Sequence, residues 1–281
     1  MFYILEPDCF SLCTMKFEIK REQQTVQSDY LKREVIIDFY MPPFAKNPNN
    51  CQLLLINDGQ DLITMDFKNI LETLYAKNKI APLFCAGIHC GADRKNEYGT
   101  ARMPNAKGEG AKAAMYSRFV MEELLNFTRK KFAIDSFSEK SFCGFSLGGL
   151  SALDIVWNHA NEFSKAGVFS GSLWWRSVEQ GDPQFDENKH RIIHNEIRDG
   201  GYYPWLQFFF ETGILDETAD RNYNGIIDSI DDTLALIAEL KKKGYPEKNI
   251  RYLELADGRH NVATWARAFP EFLKWGWGMK Q

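Results

Sequence analysis

No stretch of this chain is apolar for long enough to span a bilayer. Its opening residues, Met1-Phe-Tyr-Ile-Leu-Glu6, lack a basic start and meet an acid at once, so they do not read as a secretory signal. An excess of one charge is missing too: 34 Lys and Arg are interspersed with 38 Asp and Glu, for a net charge of −4 and a pI of about 5.8. That leaves no basic footprint for a nucleic acid or an anionic membrane. The six cysteines (Cys9, Cys13, Cys51, Cys85, Cys90, Cys143) have neither zinc-site spacing nor the density of a secreted disulfide scaffold. The expectation is reduced thiols in a cytoplasmic protein, with a Cys9–Cys13 bridge only if the chain is exported. Internal repeats and low-complexity segments are absent, and histidine is scarce at five.

What is present suits one large core: 281 residues, 44% hydrophobic, read as a single domain over 1–281. Strand-like segments fall at Lys16–Ile19, Arg33–Tyr40, Gln52–Ile56, Leu83–Ile88, Lys140–Phe145, Lys165–Phe169, Leu206–Glu211 and Ile250–Leu255. From Gln52 they alternate with helix-like periods at Ala113–Lys131, Leu147–His159, Ile230–Lys243 and Val262–Trp275. This predicts an α/β fold with a mostly parallel eight-stranded sheet, helices on both faces, and an antiparallel N-terminal edge formed by a hairpin bending near Gln27-Ser28-Asp29. Two long segments interrupt the rhythm: the polar loop 91–110, and 172–205, rich in Trp, charge and Gly and read as a cap-like insertion. Both are expected at the carboxyl ends of strands, where open α/β sheets bind ligands.

The chemistry centres on Gly144-Phe-Ser146-Leu-Gly148, a G-x-S-x-G pattern joining a strand-like run to a helix-like one. In that context it reads as a nucleophile elbow presenting Ser146. A serine hydroxyl needs a histidine to take its proton and a carboxylate to orient that histidine. His260 hangs in a loop directly after the last strand, where such a base belongs. The acid should follow the preceding strand; Asp216 is chosen, past Gly213, with Glu211 and Glu217 as rivals. Oxyanion donors are expected from the N–H groups of Leu147, after the nucleophile, and Gln60, in the loop after the third strand.

These segments together resemble the esterase D-like branch of the α/β-hydrolases, a family that includes S-formylglutathione hydrolases, feruloyl and acetyl-xylan esterases and enterochelin esterases. The likeness runs from about Lys32 to Trp275. It rests on Asn57-Asp-Gly-Gln60, Arg94-Lys-Asn-Glu-Tyr98-Gly, Gly144-Phe-Ser-Leu-Gly-Gly149, Phe169-Ser-Gly-Ser-Leu-Trp-Trp175 and Gly258-Arg-His-Asn-Val-Ala-Thr-Trp265. It implies an α/β-hydrolase fold, Ser146 as nucleophile, Asp216 as the acid of a Gly-x-x-Asp turn, His260 as base, and Arg94 and Tyr98 at the mouth of the site. Glu211 ahead of that turn, and the long polar segment after Asp216, depart from the family pattern.

That segment holds Asp220-Arg-Asn222-Tyr-Asn224-Gly225-Ile226-Ile-Asp228-Ser-Ile-Asp231. Its oxygens fall at the spacing of a twelve-residue calcium loop, with the Ile226 carbonyl at position 7 and Asp231 closing it, so a structural calcium ion is a candidate. Trp174, Trp175 and Trp205 are candidate walls of a substrate pocket. His190 and His194, four apart, offer a remote metal pair; His159 reads as a helix-end residue and His89 as a pocket residue. The expected function is serine carboxylester hydrolysis on a small-molecule ester, including a carbohydrate or aromatic acyl ester, with no cofactor in the chemistry and no nucleic-acid or membrane partner. The alternatives are a thioesterase or acyltransferase using the same triad, and a catalytically idle carbohydrate- or calcium-binding protein.

Overall fold

The computed structural model describes residues 17–42 and 51–279. Its sheet comprises β1 (Lys20–Ser28), β2 (Arg33–Met41), β3 (Gln52–Asn57), β4 (Leu83–Ile88), β5 (Glu139–Phe145), β6 (Lys165–Phe169), β7 (Gln207–Leu215) and β8 (Ile250–Arg259), in the order β1-β2-β4-β3-β5-β6-β7-β8. The β1–β2 and β2–β4 pairs are antiparallel and all later pairs parallel. This is the expected α/β-hydrolase architecture. Between the strands lie α1 (Asp61–Thr64), α2 (Phe67–Ala76), α3 (Arg94–Glu97), α4 (Ala113–Arg118), α5 (Leu125–Phe132), α6 (Leu147–Asn158), α7 (Glu187–His190), α8 (Ile192–Asp199), α9 (Asp228–Lys243) and α10 (Val262–Trp277).

The inner strands are mostly apolar, β4 throughout, because helices cover both of their faces. Along β3, Leu53 and Leu55 join one buried cluster with Tyr116, Leu150, Ile193 and Leu236. Leu54 and Ile56 point the other way, into a cluster with Leu62, Phe67, Trp265 and Phe269. The alternation of one strand therefore feeds two layers, α4, α5, α6, α8 and α9 on one side and α1, α2 and α10 on the other. None of the described helices is long and apolar enough to cross a membrane. Cys51, Cys85, Cys90 and Cys143 are unpaired, while Cys9 and Cys13 lie outside the described residues.

Several boundaries differ from the expectation. Lys16 lies outside the described residues, 17–19 are irregular, and the first strand is Lys20–Ser28, with the hairpin turning at 29–32. Its run of Lys, Arg, Glu and Gln hides it, because this edge strand buries only Val26 and Ser28. The helix expected over 113–131 is continuous, but Phe119–Leu124 widens into π geometry between α4 and α5. Most consequential, β7 and β8 outrun the predicted ends at Glu211 and Leu255 by four residues each. Their paired ends stand clear of the sheet's carboxyl edge, where β6 has already stopped at Phe169.

Candidate active site

Ser146 joins β5 to α6 at φ 54°, ψ −123°, left-handed backbone that a residue with a Cβ rarely adopts. Such strain costs roughly 1–3 kcal/mol and persists only where the surroundings over-determine it. Here the Ser146 N–H donates to Phe169 C=O at 2.8 Å, and the Ser146 C=O accepts from Ser172 N–H at 3.1 Å and from Gly149 N–H at 3.0 Å. The flanking glycines make the turn possible by absence of bulk: a Cβ on Gly144 would lie 2.4 Å from Gly148 O, and one on Gly148 2.5 Å from Asp58 Oδ2. The serine is half-exposed at the sheet's carboxyl edge.

The extended β7–β8 pair brings the candidate acid and base to the same edge. Gly213 of β7 is level with Leu255 of β8 and Leu215 with Arg259, so Asp216 and His260 leave adjacent strand ends. Asp216 Oδ2 accepts the Gly213 N–H at 3.1 Å, while Oδ1 is buried with no donor. Beyond His260, the Asn261 side chain caps α10 by accepting Thr264 N–H at 3.0 Å, and Thr264 Oγ1 accepts the Arg259 N–H at 2.9 Å. These two bonds fix the backbone on both sides of His260. The imidazole meets Trp265 edge-on at 5.4 Å. Packing around the ring holds its pKa below the usual histidine value, against the Asp216 charge that favours protonation; Arg94 adds to the lowering. The imidazole is therefore neutral at pH 7 and able to accept a proton. No hydrogen bond links Ser146, His260 and Asp216 in this structure, and apo catalytic contacts commonly tighten only around substrate.

The two rivals for the acid stand in different surroundings. Glu217 Oε1 accepts the Ser229 N–H at 2.6 Å in the first turn of α9. Glu211 is buried on β7 itself.

The expected oxyanion donors follow two adjacent parallel strands, Leu147 after β5 and Gln60 after β3. Leu147 opens α6, where first-turn N–H groups have no intrahelical acceptor. Gln60 precedes α1 in a turn whose other bonds run from Gly59 N–H to Ile88 C=O and from Asp61 N–H to Asp58 C=O. The Gln60 side chain is tied down by Cys90, accepting its N–H at 3.2 Å.

Asn57 and Asp58, which open the Asn57-Asp-Gly-Gln60 segment, brace the elbow from behind. Asn57 Nδ2 donates to Gly148 C=O at 2.8 Å and its Oδ1 accepts from Tyr116 Oη. Asp58, at φ 58°, receives both arms of Arg94, each at 2.7 Å. The available signal was a polar pair closing an all-apolar strand. Arg94 thus reaches the site as half of an ion pair, with its side chain 30% exposed.

Several predicted pocket residues are placed elsewhere. Tyr98 is fully buried, its ring against Tyr116 and its hydroxyl accepting the Asp58 N–H, so it supports the site from within and offers substrate no surface. Trp175 is also buried, against Gly99 and Gly110; Trp174 is the exposed member of the pair. Trp205 lies at the opposite, amino end of β7, its Nε1 donating to Ala160 C=O. Only the first residues of 172–205 adjoin the elbow, because α8 inserts Ile192, Ile193 and Ile197 into the core beside the sheet. His190 and His194 do not share a helix face, since Arg191 between them is extended (φ −77°, ψ 106°) and breaks the helix. His194 is buried, its Nε2–H donating to Asp232 C=O, with its pKa pushed down to about 3 mainly by burial. His89 is held by Asp38 at 2.8 Å and His159 by Ser117 at 2.9 Å.

In the 220–231 loop, Asp220 accepts the N–H groups of Asn224 and Gly225, Asn224 that of Ile226, and Asn222 Nδ2 donates to Asp231. Asp228 is turned toward Arg221, at 3.2 Å, and the same guanidinium binds Glu187 and Asp232. Among the described residues no group of three or more His, Cys, Asp or Glu is arranged to hold a metal.

A profile of the family described as "Putative esterase" matches residues 28–275. No curated protein matches in sequence. Among solved structures, the enterobactin esterase of Shigella flexneri superposes with a TM-score of 0.70 at 20% identity over 93% of this chain. The chain spans about 60% of that protein's length. A ferulic acid esterase gives 0.68 at 16% identity, covering 92% of this chain and 97% of its own. The siderophore hydrolase EstB of Aspergillus nidulans gives 0.65 at 18% identity, covering 96% and 98%. At these identities the superpositions establish a shared fold.

Proposed function

Because the chain belongs to the Putative esterase family, we propose that it is a serine carboxylester hydrolase working through Ser146, His260 and Asp216. The observation that carries the reading is the left-handed backbone of Ser146, strain with no structural use unless its hydroxyl must project from the strand end.

In this mechanism His260 accepts the Ser146 hydroxyl proton as the oxygen attacks the ester carbonyl. Asp216 Oδ1, free of other donors, receives the far ring N–H and fixes the tautomer. The N–H groups of Leu147 and Gln60 take the negative charge that develops on the carbonyl oxygen. Collapse expels the alcohol with the proton from His260, leaving an acyl-serine. Water then attacks with His260 again as base, releasing the acid and restoring the serine. Thioester cleavage or acyl transfer would use the same steps with a different leaving group or acceptor.

The substrate is read as a small-molecule ester. Exposed Ile214 and Leu215 directly precede Asp216, and exposed Trp174 follows close on Ser172, which supports an apolar or aromatic acyl side. The chemistry uses no metal. A calcium ion on Asp220, Asn222, Asn224, the Ile226 carbonyl, Asp228 and Asp231 would act on the fold alone, steadying the segment after Asp216, and a calcium titration followed by melting temperature decides that role.

The test is hydrolysis of p-nitrophenyl acetate by the wild type and by Ser146→Ala and His260→Ala. Each variant should lose about 10³-fold or more in kcat while keeping the wild-type melting temperature. Unchanged turnover in Ser146→Ala would exclude the mechanism.

A further inference from the structure

Glu211 has no role in the reaction as written, and its surroundings are unusual for a carboxyl. It is 1% exposed, level with Phe169 of β6 and Leu253 of β8, and neither of its buried oxygens makes a well-formed hydrogen bond, although Ser170 lies near enough to favour its charged form. A buried polar group left in this state calls for a functional or electrostatic explanation. Side chains two apart on a strand share a face, so Glu211 projects on the side where a Cβ on Gly213 would point. That direction leads to Asp216 Oδ1, 2.7 Å from the ideal Cβ position. The two carboxyl groups thus share the buried face at the end of β7, each with an unpartnered oxygen.

The groups facing Glu211 come from every neighbouring element. Ser170 at the end of β6 and Arg267 of α10 favour its charged form; burial and the charge of Asp216 oppose it and prevail, with Tyr252 of β8 nearby. The balance pushes its pKa up to about 8. At neutral pH it is therefore an uncharged acid beside Asp216. Ionisation of both would set two carboxylates in one dry recess, with a single backbone N–H, that of Gly213, holding Asp216 in place.

We propose that Glu211 is a positioning residue of the hydrolytic site: as a neutral acid it leaves Asp216 the sole negative charge orienting His260, and on losing its proton it displaces Asp216 and disables the triad. This rests on the reading of Ser146, His260 and Asp216 as the triad, and it settles the part played by a residue that was itself a rival for the acid.

The experiment is the pH profile of kcat for ester hydrolysis, from about pH 6 to about pH 10, in the wild type and Glu211→Gln, with Ser146→Ala as control. Wild-type kcat should fall on the alkaline side by about fivefold or more, with a midpoint near the Glu211 value of about 8. Glu211→Gln, which keeps the shape and cannot ionise, should stay within about threefold of wild type at pH 7 and remain level above it. A flat wild-type profile, or the same alkaline fall in Glu211→Gln, overturns the proposal. So does a loss of about 10³-fold at every pH, which would make Glu211 the orienting acid itself. Residual hydrolysis by Ser146→Ala at the wild-type rate would instead count against the triad reading. Should Glu211→Gln fail to fold, infrared difference spectra of the wild type decide: a protonated-carboxyl band must disappear with the same midpoint as kcat, and its absence at pH 7 contradicts the proposal.

Discussion

Gly213 and Gly258 lie back to back across the β7–β8 pair: a Cβ on Gly213 would fall 2.4 Å from the Gly258 carbonyl carbon, and one on Gly258 2.7 Å from Gly213 Cα. This contact brings the two strand ends together three residues before Asp216 and two before His260. The Gly-x-x-Asp and Gly-x-His patterns are therefore one feature seen from two strands, and the spacing of each sets how far its side chain stands beyond the crossing.

Gly213→Ala should consequently injure catalysis more than stability. The added methyl has backbone on one side and Asp216 Oδ1 on the other, so the strand ends must part. A destabilisation of about 1–3 kcal/mol, typical of overpacking, is expected in denaturant unfolding. Ester hydrolysis should fall by about tenfold or more, since small displacements of catalytic groups are costly. Alanine at Gly181, where nothing lies within 4 Å of the added carbon, serves as the control.

The choice among the three acids is open to substitution. Asp216→Asn should lower kcat by about 10³–10⁴-fold with the fold intact, because the histidine loses its charged orienting partner. Glu217→Ala should leave kcat near wild type and cost about 1 kcal/mol of stability, the worth of a helix-terminal bond to the Ser229 N–H.

Acid inactivation should report His260. Its pKa is held below the ordinary histidine value of 6.5, and the reaction needs the neutral ring, so kcat/KM should rise with pH through a midpoint below 6.5 and level off by neutrality. A midpoint above 6.5 in a kcat/KM profile would contradict this.

Stability should carry the mark of Glu211 with the opposite sense. The folded chain keeps that proton up to about pH 8, whereas the unfolded chain releases it near the usual 4.5. Between those values the unfolded state binds fewer protons, so stability falls as pH rises and becomes level above the folded value. Melting curves of Glu211→Gln should show part of that slope removed, with its advantage over wild type growing from about pH 5 to about pH 8. Asp154 and Glu196, a second buried carboxyl pair whose pKa values are also raised chiefly by burial, account for slope that remains.

The mostly parallel eight-stranded sheet and the elbow were legible because each has a local cause in the chain. All-apolar runs such as Leu83–Ile88 belong to strands covered on both faces, and paired glycines mark places where backbone must meet backbone. Burial of side chains at a distance was not legible. Tyr98 and Trp175 occur in loops, where aromatic residues suggest a pocket wall, yet the loop 91–110 folds inward and packs Gly99 and Gly110 onto Trp175. The ion pair of Asp58 with Arg94 joins residues 36 apart that no spacing rule connects. The break between His190 and His194 depends on Arg191, whose extended backbone lets its side chain bind Asp232 of α9 at 2.9 Å.

Covalent labelling with a fluorophosphonate tests most directly whether Ser146 is the nucleophile. Mass spectrometry of the treated wild type should find one adduct, on Ser146, formed at a rate that falls as His260 becomes protonated and absent in Ser146→Ala. Labelling that goes to another serine, or that leaves Ser146 unmodified while the ester is still hydrolysed, would contradict it.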